Sequence, residues 1–337
     1  MRLRFKSFAI LAALAVGRLR HMAWRRKRQS LECHTQRMHN LQQFAVSVFA
    51  AGCLFTSPVV MAQSQSVAAL ALVQKHAALE ARLAQNPFGR PLVIESAEAD
   101  QHVSGHAYGV IDFAFPAITQ QLKKPAQWCE VMILHLNTKY CRAEGNGPNE
   151  KLKVSIGKKT PQSLADASLL EFAFKLTDAS ESYFGAQLVA PEGPLGTSDY
   201  RMELQAVPLP DGKTFVHLQY AYRYGIAGKL AMQAYLATAG RSKIGFTPLS
   251  AGTQSNSEKM RYVGGMRGAV ERNTMRYYLA IEAYMASLQS PQNEQLNKRL
   301  NDWFTATEKY PRQLEEIDRP SYLSMKKAEY QRQQSAL

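Results

Sequence analysis

Apolar residues recur at every second position through much of residues 134–224. Leu134, Leu136, Thr138 and Tyr140 alternate with His135, Asn137, Lys139 and Cys141. Leu152, Val154 and Ile156 alternate with Lys151, Lys153 and Ser155. The same pattern carries Leu170, Phe172, Phe174 and Leu176, then Tyr200, Met202, Leu204 and Ala206. It ends with Val216, Leu218, Tyr220, Tyr222 and Tyr224. A period of two, apolar on one side and polar on the other, predicts antiparallel strands with one wet face. His135 and His217 fall on the polar side, facing solvent. A further strand, less regular, is expected around Tyr183 to Ala190. The breaks hold turn chemistry: Gly145-Asn146-Gly147-Pro148, Pro191-Glu192-Gly193-Pro194 and Asp211-Gly212. Consecutive strands with such short connections make a meander.

On either side the period changes to that of a helix. Leu72, His76, Leu79 and Leu83 predict an amphipathic helix over 67–84, closed by Asn86-Pro87-Phe88-Gly89. Pro91 to Ile94 reads as extended, Gly105 to Phe113 as a short strand, and Phe115 to Val131 as helix broken around Lys123-Lys124-Pro125. After the strands, Ile226 to Ala239 is a short Ala-rich helix. Ala269 to Leu288 is a longer one, with Tyr277, Ile281, Tyr284, Met285 and Leu288 on one stripe and Arg272 and Arg276 off it. Leu296, Leu300, Trp303 and Phe304 mark a helix in 291–307, and Arg319 to Leu337 a polar final helix with a frayed end.

The N-terminal segment is different. Phe44 to Phe55 is an apolar run of about signal-sequence length, shorter than the roughly 20 residues of a membrane-spanning helix. Val60-Met61-Ala62 then precedes Gln63, with small residues where a signal peptidase needs them. Cleavage is expected between Ala62 and Gln63, and the mature chain in the periplasm or secreted. Ala50-Ala51-Gly52 before Cys53 leaves a membrane-anchored lipoprotein as the alternative. A second apolar run near the start, followed by Arg25-Arg26-Lys27-Arg28, points to a true start at Met22 or Met38, with one long n-region as the alternative.

Removing the leader changes the meaning of the charge. Ten of the 41 Lys and Arg and one of the 27 Asp and Glu lie in residues 1–62. The rest carries 31 basic and 26 acidic side chains, a net of +5 against +14 for the whole chain. A basic whole-chain balance would suggest nucleic acid, but the mature balance does not, so nucleic acid is not an expected partner. Cys129 and Cys141 remain after the leader, and an even pair in an oxidising compartment reads first as a disulfide. It would close a loop of about a dozen residues and contribute roughly 3 kcal/mol by the chain-entropy model. Two buried free thiols are the alternative.

No catalytic signature stands in the chain: there is no G-x-S-x-G, Walker loop or G-x-G-x-x-G. His102 and His106 lack a helical spacer, so no metal is expected, and no cofactor is implied. Gly264-Gly265-Met266-Arg267-Gly268, with Arg272 and Arg276 beyond, reads either as a basic mouth for an anionic head group or as an ordinary helix entry with solvated charges.

The order of elements, strand, helix, meander and long helix, resembles the START-like (SRPBCC) helix-grip superfamily. In it a curved antiparallel sheet wraps a long C-terminal helix around an apolar cavity. Trp128-Cys129 to Tyr140-Cys141, and ERNTMRYYLA from Glu271, also resemble uncharacterised exported bacterial members. The resemblance implies an α+β fold over 105–288. A leader (1–62), an N-terminal helix with an extended lead-in (63–104) and a C-terminal helical extension (289–337) would flank it. It further implies a cavity lined by Phe172, Phe174, Met202, Leu204, Leu218, Tyr220 and Tyr222, with Arg267 and Arg272 at the mouth. The expected ligand is an apolar or amphiphilic small molecule, with transient membrane contact left open. The same alternation also describes a solid core. An enzyme of cyclase or hydrolase type, with ionisable groups inside the cavity, is one alternative. An envelope interaction protein acting through an exposed Leu296, Leu300, Trp303 and Phe304 stripe is the other.

Overall fold

The computed structural model describes residues 66–238, 240–249 and 261–335. The leader, the cleavage point at Ala62 and Gln63, and Cys53 lie outside them. The described residues belong to one compact unit.

The chain begins with helix α1 (Val67–Ala84), capped by the Ser66 hydroxyl, which accepts from the Ala69 amide at 3.2 Å. Strands β1 (Leu92–Ala99) and β2 (His102–Ile111) follow as a hairpin. Its turn residues, Asp100 and Gln101, both take positive φ. The segment expected to be only an extended lead-in is thus a full edge strand. The pair α2 (Phe115–Leu122) and α3 (Pro125–Met132) carries the chain away from β2. Then come β3 (Thr138–Glu144), β4 (Lys151–Ile156), β5 (Ser168–Ala179), β6 (Phe184–Glu192), β7 (Thr197–Pro208) and β8 (Thr214–Tyr224). Their meander ends with β8 against β2, so the order is β1-β2-β8-β7-β6-β5-β4-β3, antiparallel throughout. Register irregularities in the β3, β5 and β7 pairings accompany the curvature of the sheet.

The sheet grips helix α5 (Gly265–Ser287). Two glycines of β2 set the approach. A methyl group at Gly105 would overlap the Thr274 hydroxyl, and one at Gly109 the Tyr278 hydroxyl. Without side chains there, the helix lies directly on the strand. Helix α4 (Ile226–Ala237) precedes α5, while α6 (Gln292–Glu308), α7 (Pro311–Leu314) and α8 (Arg319–Ser335) follow it. This is an α+β helix-grip architecture: an open, curved antiparallel sheet on a long C-terminal helix, with added helices at both ends. No helix among the described residues is long and apolar enough to cross a membrane.

The inner sheet face, α5 and α6 share one apolar cluster. A second, smaller one lies on the opposite face, where Leu72, Leu79 and Leu83 of α1 pack with Tyr108, Val207 and Phe215. Cys129 and Cys141 are joined by a disulfide, with Cα atoms 5.2 Å apart, tying α3 to β3.

Four expectations are corrected. The strand read from Leu134 begins only at Thr138, because residues 133–137 form a turn that buries Leu134 and Leu136. Alternation there reports burial, not pairing. His135, expected in solvent, is buried and stacks on Tyr277 with ring centroids 4.6 Å apart. Arg272 and Arg276 are buried too, since α5 is enclosed by the sheet on one side and by other chain segments elsewhere. Leu300, Trp303 and Phe304 face the main core rather than solvent, and α8 is docked on β3 through Met325, Lys326, Glu329 and Gln333, with Tyr322 against Trp303 and Phe304.

Candidate functional site

Between the inner sheet face and α5 lies a cavity of about 600 Å³. Leu170 and Phe172 of β5, Tyr200 of β7, and Tyr220 and Tyr222 of β8 form its apolar wall. The register explains their convergence. Tyr220 is opposite Met202 on β7 and Gly105 on β2, so the large rings of β8 project where β2 carries none. Helix α5 faces them with Met266, Ala269 and Tyr277, and Met232 and Tyr235 of α4 line another side.

The rings form a continuous contact set. Tyr200 stacks on Tyr222 with centroids 5.3 Å apart, and Tyr220 meets Tyr277 at 5.5 Å. Phe172 stands edge-on to Tyr200 at 6.4 Å. Burial pushes the Tyr220, Tyr222 and Tyr277 hydroxyls well above the ordinary phenol range. They are neutral hydroxyls, able to donate or accept a hydrogen bond. Tyr200 already donates to the Thr197 hydroxyl at 2.9 Å.

The other end of the cavity is polar. Arg272, Arg276 and Asn273 of α5, Lys159 of the β4–β5 connection, and His135 line it. Glu316, from the segment between α7 and α8, accepts from Lys159 Nζ at 2.6 Å and from Arg276 Nη2 at 3.0 Å. Burial pushes the Glu316 carboxyl up, but Arg276 and Lys159 outweigh it and hold the group below the usual carboxylate range. Lys159 is brought down to about 8, first by burial and then by Arg276, which shares its carboxylate. Burial, reinforced by Arg276, keeps His135 neutral. Among the described residues no group of His, Cys, Asp and Glu could hold a metal ion.

Of the residues expected at the site, Phe172, Tyr220, Tyr222 and Arg272 line this cavity. Phe174, Met202, Leu204 and Leu218 share the same apolar cluster but not the cavity wall. Arg267 turns to β1, where Nε and Nη2 donate to the Ser96 hydroxyl and carbonyl. Sequence reasoning missed Lys159 and Tyr235, which line the cavity, and Glu316, which pairs with two of its cations. Nothing in their local sequence signals the cavity, because three separate segments bring them together. Tyr200 was legible, being on the same alternating face as Met202.

Two further spaces exist. One of about 560 Å³ lies by Phe88, Arg90, Glu282 and Tyr310, and one of about 420 Å³ by Trp303, Thr307 and Glu316. Neither has an extended aromatic wall on the sheet.

No family model matches the chain, and no curated protein matches it. Solved structures do resemble it. Norcoclaurine synthase from Thalictrum flavum is 15% identical, with 44% of this chain and 80% of that one covered, at a TM-score of 0.30. Human StAR-related lipid transfer protein 5 is 9% identical, with 66% and 98% covered, at 0.34. Ara h 8.0201 is 10% identical, with 55% and 99% covered, at 0.33. At such values the likeness carries no functional argument. The helix-grip assignment rests on the strand order and on α5, and it agrees with the START-like resemblance of the sequence.

Proposed function

We propose that this is an exported binding protein that holds an apolar or amphiphilic small molecule between the sheet and α5. The tyrosine-walled cavity carries the reading: an aromatic wall with a few convergent polar groups is the usual make-up of a small-molecule site. The proposal invokes no cofactor. Export is supported by the apolar run Phe44–Phe55, by Val60-Met61-Ala62 before Gln63, and by a disulfide typical of oxidising compartments. Leu195, Ile226 and Leu230, exposed where α4 meets the turn before β7, support transient membrane contact. Loss of vesicle co-sedimentation in Ile226→Ser and Leu230→Ser would bear that out; no sedimentation of the parent would end it.

The test is native mass spectrometry of protein recovered from the periplasm, followed by extraction. The expected species begins at Gln63 and carries a small apolar molecule. A lipid-modified Cys53 would replace the soluble form by the lipoprotein alternative. Protein that is empty as isolated and takes up no added apolar probe would overturn the binding reading.

Catalysis on the same scaffold is the second reading, favoured by one observation. Lys159, lowered to about 8, lies within 3.2 Å of the Tyr235 hydroxyl at the cavity wall. A perturbed lysine in a cleft is a candidate base or nucleophile. Failure of Lys159 to react faster than exposed lysines with an amine reagent at neutral pH would remove it.

A further inference from the structure

The polar end of the cavity holds more buried positive charge than the described chain neutralises. Arg272 is 2% exposed and Arg276 1%. Among the described residues Arg272 donates one hydrogen bond, from Nη1 to the Ile244 carbonyl at 3.3 Å, and forms no ion pair. Its Nε has no partner there. Arg276 spends Nη2 on Glu316 and the Leu314 carbonyl and Nη1 on Asn273, and its Nε is also without a partner. Lys159 leans on the same Glu316. Two of the three cations therefore share one carboxylate, and Arg272 has none among the described residues. Asp166 also lines the cavity, but it is exposed and pairs with none of them among the described residues. Burying a cation without a counter-charge is costly, and a guanidinium with a free N–H edge is shaped for a carboxylate or phosphate.

We propose that the ligand is an amphipathic anion. Its apolar body lies along Phe172, Tyr200, Tyr220 and Tyr222, and its single carboxylate or phosphate is held by Arg272, Arg276 and Lys159. This rests on the cavity being a ligand site. Glu316 then has a definite part: it occupies the cationic end in the empty protein and competes with the incoming head group. Arg272, unengaged by Glu316, is the first contact for that group. A neutral apolar molecule would fill the aromatic end and leave the cations as they are.

Isothermal titration of the mature protein with decanoate, decyl phosphate, decanol and decylamine tests this. At least one of the two anions should bind about tenfold or more tightly than decanol, a difference of about 1.4 kcal/mol. Decylamine should bind no better than decanol. The better anion tells a carboxylate ligand from a phosphate one. Arg272→Gln and Lys159→Gln should each remove most of the anion's advantage and leave decanol binding unchanged. Glu316→Gln should strengthen anion binding, the direction that damage to the fold would not produce. Lys159 is partly exposed, so its variant reports even if Arg272→Gln does not fold. Equal binding of anions and decanol, or an anion preference untouched by all three changes, overturns the proposal while the binding reading stands. Acetate or inorganic phosphate binding as tightly as the decyl anions would make this a free-anion site and overturn it as well. Binding of no probe at all defeats the underlying reading, and the proposal with it.

Discussion

Tyr220, Tyr222, Tyr277 and Tyr278 are buried, and burial raises each phenol above its ordinary value. An unfolded chain ionises the same groups near pH 10. A folded value above the unfolded one means that the contribution is complete below the unfolded pKa and is lost as pH rises beyond it. Lys159 and Lys326, both lowered to about 8 by burial, act the other way. Between about 8 and 10.4 the unfolded chain binds more protons at these lysines, so they make stability rise with pH there. Urea unfolding should therefore show stability climbing above pH 8 and falling above about pH 10. Tyrosinate absorbance from these rings should appear only as the fold is lost. Ionisation of the full tyrosine complement at pH 10 with the fold intact would contradict their burial. At this scale alternation placed Tyr220 and Tyr222 on the inner face, but Tyr278, off the α5 stripe, is buried as well, and Tyr140, read on the apolar side, is only half-buried. Nor did the sequence show which arginines are buried. Arg272 and Arg276 sit off the apolar stripe of α5, and only the enclosure of that helix by distant segments takes them out of water.

The final helix illustrates the same limit for a whole element. Residues 319–335 have no strong apolar stripe, yet α8 closes the exposed edge of β3. Its buried face carries Lys326, Glu329 and Gln333 beside Tyr322 and Met325. Lys326 Nζ donates to the Thr138 carbonyl at 2.7 Å, and Gln333 accepts from the Cys141 amide at 3.1 Å. Glu329 receives both Lys326, at 2.7 Å, and Lys139, at 3.0 Å. All of these contacts except Lys326–Glu329 span far along the chain, so local pattern reads the segment as solvated. The arrangement satisfies the edge amide and carbonyl that an open strand would leave free. Both lysines are fully buried and Glu329 is 2% exposed. Glu329→Gln would leave two buried ammonium groups without a carboxylate among the described residues. Breaking a buried pair in this way costs about 3–5 kcal/mol. Hydrogen exchange should show α8 and β3 losing protection together. Unchanged protection in the folded variant would mean that α8 is held by Tyr322 and Met325 alone.

For the molecule as a whole, the meander and the long helix were legible because strand period and turn residues agree along 138–224 and the helix period along 269–288. The β1–β2 hairpin was not, since Asp100-Gln101 lacks the glycine that marks such turns. Nor could alternation say whether the inner face is filled. That question has a physical answer at Tyr222. Truncating a packed core aromatic costs about 3–5 kcal/mol, much of it from the new void. Tyr222 already borders about 600 Å³ of space. Tyr222→Ala should therefore enlarge an existing cavity and cost less than that range in urea unfolding. Tyr222→Trp should be accommodated with little change in stability, because the added ring volume has somewhere to go. The same variant should weaken bulky ligands more than slender ones, since it narrows the apolar end and leaves Arg272 untouched. In a solid core both substitutions would behave differently: the alanine would cost the full amount, and the tryptophan would overpack by about 1–3 kcal/mol. A tryptophan variant that loses stability on that scale while ligand uptake stays unaltered would mean that the sheet and α5 meet as ordinary core, and that any ligand binds elsewhere.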